Sequence, residues 1–276
     1  MEVARIGHPR SPKQTDDANK AVTAPSIFAV PTDCNYDQVS GFVQTVVTRC
    51  GSNRYELAFQ VNGIETVALI AQKVTKSRTS NYRIFDAIRG DGERVKLTKK
   101  AGHYIGKMRR DKDQPQGCYT LYDSCREKKQ LAALVYAMPS LVSQLTEGQP
   151  PREMQAVIPK CSPPKEEGGH ALLEDDDKVN VKGHNNRLME HLQNGTWQHH
   201  NLVLVQTKPP SFHEGQYRLN FQGRVLKTSV KNMQLENQGQ ILLQFGKVDD
   251  VRFHLDFKAP FTAVSAFAAA LAQFDL

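Results

Sequence analysis

The chain has 276 residues, 39% of them hydrophobic and 24% charged, with a formal net charge of +7, a composition typical of soluble globular proteins with material for a sizeable core. No run approaches 18 uninterrupted apolar residues, which excludes a membrane-spanning helix, and the opening MEVARIGHPRSPKQ lacks the apolar core of a secretory signal. Five cysteines (Cys34, Cys50, Cys118, Cys125 and Cys161) without a CxxC pair point to a reducing, intracellular compartment.

Residues 1–25 are polar, carry Pro9, Pro12 and Pro25, and show no apolar period, so a flexible tail is expected there. From Phe42 the pattern changes to short alternating runs rich in Val, Ile, Phe and Tyr. GFVQTVVTR, RYELAFQV, ETVALIAQ, YRIFDAI, ERVKLTK, GCYTLYD, LAALVYAM and MQAVIPK each have strand length. Asn62-Gly63, between the second and third, is a hairpin signal. The polar, acidic and proline-containing stretch 161–187 reads as a long exposed loop or insertion. Strands resume with NLVLVQTK, GQYRLNFQGRV, QILLQFGKV and VRFHLDF. Many short strands without interleaved helices argue for an antiparallel sheet, closed as a barrel or paired as a sandwich. The ending departs from this. FTAVSAFAAALAQF is alanine-rich and follows Pro260, which suits a helix start. A helix apolar all round is either buried or a membrane span, and about 14 residues is too short to span. One helix enclosed by the sheet is therefore expected.

Charge is distributed unevenly. Lys73 to Lys129 holds 16 Lys and Arg against 7 Asp and Glu, a local surplus larger than that of the whole chain. Such asymmetry suits an anionic partner: a phosphoinositide, an anionic membrane or a nucleic acid. At its centre lies GHYIGKMRRDK, Gly102 to Lys112. Lys107 and Arg109 are two apart and project to one face of a strand, with Met108 pointing inward and Arg110 facing the other way. Protective charge on an exposed edge strand would produce the same pattern.

Several motifs resemble the tubby-like family and occur in its order: KSRTSNYRIF, HYIGKMRR, MQAVIPK, TKPPSF, NFQGRVLKTSVKNMQL, LLQFGKV and AFAAALAQFD. The resemblance covers residues 26–276. It implies a mainly β domain, a closed antiparallel barrel of about 12 strands threaded by a buried hydrophobic C-terminal helix. It also implies a basic site for phosphatidylinositol 4,5-bisphosphate. The family's Gly-Lys-Leu-Arg motif falls on Gly106-Lys107-Met108-Arg109, its contacting Asn on Asn81, and a further basic contact on Lys128. Arg78 and Lys76 are expected at the rim, where each basic residue near an anionic leaflet adds roughly 1 kcal/mol. Lys96, Lys99 and Lys100 are expected as outlying charges. The resemblance further implies a phosphoinositide-dependent adaptor at the plasma or ciliary membrane, with membrane-protein cargo or a ciliary transport complex as partners. No enzymatic activity and no cofactor are expected.

The other candidates read as structural. Gly223-Arg224 suits a bulge with a packing Arg. His184, His191, His199 and His200 match no zinc spacing, and Asp175-Asp176-Asp177 sits in the polar stretch as a solvated run. The alternative function is a DNA-binding transcription regulator, which the basic surplus permits and which would place the protein in the nucleus. No recognition helix is apparent for it. A lipid-scrambling relative would need a longer, inserting C-terminal helix.

Overall fold

The computed structural model describes residues 41–88, 97–100, 103–114, 117–126, 128–137, 152–160, 187–213 and 216–275. The expected tail, 1–25, lies outside them, as does the 161–187 stretch except for Arg187.

Twelve antiparallel strands close into one barrel. In chain order they begin with β1 (Val43–Arg49), β2 (Arg54–Val61), β3 (Ile64–Lys73), β4 (Asn81–Asp86), β5 (Tyr104–Arg110), β6 (Gly117–Asp123), β7 (Gln130–Ala137) and β8 (Glu153–Pro159). A short helix, α1 (Leu188–Asn194), precedes β9 (Leu202–Thr207), and a separate hairpin follows as β10 (Ser211–His213) and β11 (Gln216–Arg218). The barrel then resumes with β12 (Met233–Asn237), β13 (Gln240–Lys247) and β14 (Arg252–Phe257) before the final helix, α2 (Ala263–Asp275). Neighbours run meander-fashion from β2 to β9, then through β12, β13 and β14 back to β1. Closure leaves none of these twelve strands with an unpaired edge. Asn62 and Gly63 link β2 to β3 with both φ angles positive, 50° and 77°, as a two-residue turn of matching twist requires.

The barrel interior is occupied by α2. Every residue from Ala263 to Gln273 is buried, against inward-facing side chains such as Leu57, Tyr82, Met108, Leu134 and Leu255. Alanines keep the helix narrow enough to fit, while Phe267 and Leu271 fill the remaining space; each such burial stabilises by roughly 1.5–3 kcal/mol. The helix starts at Ala263, two residues after the expected Phe261. Thr262 and Ser265 set this start by exchanging bonds: the Ser265 N–H donates to Thr262 Oγ1 (3.2 Å) and the Thr262 N–H to Ser265 Oγ (2.9 Å), the reciprocal arrangement of a capping box.

Three further departures have local causes. Leu97 to Lys99, the described part of the expected ERVKLTK strand, lie outside any strand; Lys99 instead folds over the Tyr104 ring, its Nζ 5.6 Å from the centroid. The long GQYRLNFQGRV run is strand only over Gln216–Arg218, because Gln222 and Gly223 turn the chain (φ 50° and 79°) and Arg224 is drawn onto Asp256. β12 and α1 have no counterpart among the expected elements. In β12 only Met233 and Leu235 join the barrel core, too short an alternation to stand out. In α1, Leu188 and Leu192 pack on Ala133 and Val157 outside the barrel, and Gly195 ends the helix at φ 68°.

Candidate anion-binding site

Strand β5 carries the site because its burial alternates. Met108 is fully buried in the core, while Lys107 and Arg109 on either side of it face outward. Gly106 brings the neighbouring strand close: a Cβ there would lie 2.3 Å from the Tyr122 carbonyl oxygen. Register sets the rows across the outer face. Lys107 lies between Arg83 on β4 and Tyr122 on β6, and Arg109 lies between Asn81 and Thr120. Lys107 Nζ rests 5.4 Å from the Tyr122 ring centroid, a contact that holds the ammonium against an aromatic face.

Lys107 is pulled below the ordinary lysine pKa, first by burial and then by the charges of Lys128, Lys99 and Arg109. The charges of Lys128 and Lys99 thus bear on Lys107, and Lys99 Nζ lies 5.6 Å from the ring centroid of Tyr104, on the same strand as Lys107. Lys128 is exposed and adopts φ 52°, with its N–H donating to the Cys125 carbonyl (3.0 Å); this backbone is uncommon for a residue other than glycine. The Asn81 side-chain oxygen is buried without a hydrogen-bond partner, and a buried acceptor left so costs about 1–3 kcal/mol.

Of the residues singled out from sequence, Lys107, Arg109 and Asn81 share one face and Lys128 adjoins it. Arg78 and Lys76 stand apart, exposed in the connection between β3 and β4, off these rows. Lys99 adjoins Lys107, Lys100 is exposed beside it, and Lys96 lies outside the described residues. Arg110 faces the opposite way, in register with buried Tyr119. Arg83 belongs to the group although nothing in the sequence reading singled it out. The signal was present: Arg83 is two residues from Asn81 on one strand and so shares its face.

Elsewhere, Arg224 makes a bidentate pair with Asp256, 2.7 and 2.8 Å, which gives it the packing role expected. His191 and His200 stack at 3.9 Å, and His191 Nδ1 lies 2.8 Å from Thr196 Oγ1. His199 ends a 3-10 turn, Trp197–His199, ahead of β9. Among the described residues no group of three or more His, Cys, Asp or Glu is placed to hold a metal.

A model of the Tub family matches residues 36–276. Tubby-related protein 1 of Mus musculus is 30% identical over 226 residues, covering 75% of this chain and 37% of that protein. Tubby-related protein 3 of Homo sapiens is 30% identical over 225 residues, covering 75% and 46%, and Protein king tubby 2 of Culex quinquefasciatus is 28% identical over 225 residues, covering 77% and 48%. The aligned chain thus spans less than half the length of these relatives. The family match runs through all twelve barrel strands and through the helix they enclose, and the chain therefore belongs to the tubby family.

Proposed function

We propose that the chain binds the headgroup of phosphatidylinositol 4,5-bisphosphate on the outer face of β4 and β5, and so acts as a peripheral adaptor at an anionic membrane leaflet. One observation carries the reading. Arg83, Lys107, Arg109, Lys99 and Lys128 gather in one region, and none of them forms an ion pair among the described residues. Like charges opposite one another across strands destabilise a sheet by a few tenths of a kcal/mol or more, so a group without ion-pair partners among the described residues suits an external anion. Arg109 and Arg83 can each fork onto a phosphate, while Lys107 addresses one as a point charge. Asn81 supports an inositol ring in either amide orientation: its oxygen accepts from a ring hydroxyl, or its amide donates to a phosphate. The function is recognition and release; no bond is made or broken. Cargo delivery toward cilia or flagella extends the proposal by family analogy.

A nucleic-acid role finds less support in the described helices. α2 is enclosed by the barrel, and α1 is seven residues long with its apolar side against β7 and β8. Vesicle sedimentation tests the proposal. Lys107→Ala/Arg109→Ala should weaken binding to vesicles containing phosphatidylinositol 4,5-bisphosphate by roughly a hundredfold or more, the loss of two charge-assisted contacts. Equal binding to phosphatidylserine vesicles of matched charge would refute a specific headgroup site. Tight binding to duplex DNA at physiological salt, with none to vesicles, would favour the nucleic-acid reading.

A further inference from the structure

Behind the outer cation group, on the inside of the same wall, sits a carboxylate that membrane recognition does not use. Asp275 is the last residue of α2, and its side chain is 1% exposed. Two forces oppose a charge there. Burial removes its water, and the C-terminal end of a helix carries negative partial charge of its own. Four donors offset both. Lys73 Nζ (2.6 Å), Ser80 Oγ (2.6 Å) and Tyr82 OH (3.0 Å) donate to Oδ1, and Tyr119 OH (2.9 Å) donates to Oδ2. Burial alone would raise the Asp275 pKa, but donation from Lys73, Ser80 and Tyr119 outweighs it and holds the carboxyl below the usual aspartate value.

The donors come from a telling set of places. Ser80 and Tyr82 flank Asn81, and with both neighbours turned inward the side chain between them is turned outward. Tyr82 is in register with Met108, and Tyr119 with Arg110. One carboxylate therefore holds β4 and β6, the two strands on either side of the β5 that bears Lys107 and Arg109. The backbone completes the clasp: the Arg110 N–H donates to the Ser80 carbonyl (2.8 Å), and the Val74 N–H to the Asn81 carbonyl (2.8 Å).

We propose that Asp275 is a positioning residue for the anion site. From inside the barrel it clasps the strands flanking β5 and presets the spacing of Asn81 against Arg109 on the outside. The proposal rests on the headgroup reading above. It gives the end of the enclosed helix a function beyond filling the core, since damage to the last turn of α2 would reach the ligand site through three strands.

The test is titration with soluble inositol 1,4,5-trisphosphate, well below each variant's melting temperature, followed by calorimetry and by amide chemical shifts of the folded protein. Asp275→Asn should lower affinity about tenfold, the scale on which losing a supporting bond behind a ligand-holding residue acts, and should move the amides of Asn81 and Arg109. Phe267→Leu, which disturbs the middle of the same helix, should lower the melting temperature and leave affinity unchanged. Should Asp275→Asn fail to fold, Ser80→Ala and Tyr119→Phe each remove one donor and should each give a smaller loss. Unchanged affinity in Asp275→Asn, or in both single-donor variants, overturns the clasp while leaving the headgroup reading intact. An equal loss in Phe267→Leu also overturns it, because general softening would then account for the effect. Failure of the wild type to bind the trisphosphate overturns the headgroup reading and the clasp with it.

Discussion

Two patches on the outer face of one barrel carry arginines, and they are treated in opposite ways. Over β13 and β14, Arg224 is gripped by Asp256 through two bonds, and Gln244 and Gln60 complete the network at 2.9 and 3.0 Å. His254 Nδ1 donates to the Arg224 carbonyl at 2.7 Å. Over β4 and β5, Arg83, Lys107 and Arg109 sit in adjoining rows and form no ion pair among the described residues. The first patch is complete without anything external. The second, lacking such partners among the described residues, is where the proposed reading seats an anion. Presence of a cation therefore says little about its role, and its pairing says most of it.

The largest contrast is expected when each patch loses a cation. Arg224→Ala leaves Asp256, 1% exposed, as an uncompensated buried charge, and should cost about 3–5 kcal/mol of stability. Lys107→Ala removes a charge with no ion-pair partner among the described residues, and stability should stay within about 0.5 kcal/mol of wild type. Urea unfolding of both variants measures this. Headgroup affinity should respond in the opposite order, unchanged for Arg224→Ala and strongly reduced for Lys107→Ala. If Arg224→Ala unfolds like wild type and loses affinity, the two patches do not differ as described.

Gly106 should give a smaller effect of both kinds. A Cβ at this position would meet the Tyr122 carbonyl oxygen at 2.3 Å, and that oxygen belongs to backbone, which cannot swing aside. Gly106→Ala should destabilise by about 1–3 kcal/mol and move Tyr122 away from Lys107, lowering affinity too. A crystal structure of the variant with the β5–β6 register intact and affinity unchanged would show that close strand approach is not needed for the site.

Arg83 separates the headgroup reading from plain charge. Arg83→Gln should lower affinity for the soluble headgroup about tenfold, or roughly 1.4 kcal/mol. It should leave stability unchanged or slightly raised, because Lys107 loses the like charge opposite it. Calorimetry on this single variant decides whether β4 contributes to recognition or only to the local field.

Arg83 also marks the limit of what the sequence made legible. Alternation, turn residues and an apolar ending suffice for a closed or paired antiparallel sheet around one helix, and two-residue spacing suffices to put Lys107 and Arg109 on one face. Which strand lies beside β5 is a matter of register, and register is written in contacts between distant segments. Spacing alone put Arg83 on the face of Asn81, but only register set it opposite Lys107, and Asp275 became visible only with its donors from β3, β4 and β6. The short helix α1 escaped for a related reason. Seven residues hold little periodicity, and what stabilises them is the barrel wall formed by Ala133 and Val157, remote in sequence.

The smallest effect is a pH dependence whose two halves run in opposite directions. Lys107 is held below its ordinary pKa by burial and by Lys128, Lys99 and Arg109, with Arg83 and Tyr122 beside it in register. In the free protein the folded state thus sheds its proton at lower pH than the unfolded chain. Between the lowered value and the ordinary 10.5 the unfolded state binds more protons, and the Lys107 contribution to stability rises with pH. A bound polyphosphate favours the ammonium and draws the pKa back up. Affinity should then fall over the same alkaline window in which the free protein gains stability. Lys107→Arg, which keeps its charge throughout, should flatten the Lys107 part of both slopes. Titrations with inositol 1,4,5-trisphosphate from neutral to alkaline pH, paired with urea unfolding at each pH, read the two halves separately. An affinity profile of Lys107→Arg that follows wild type would mean that Lys107 does not meet the anion.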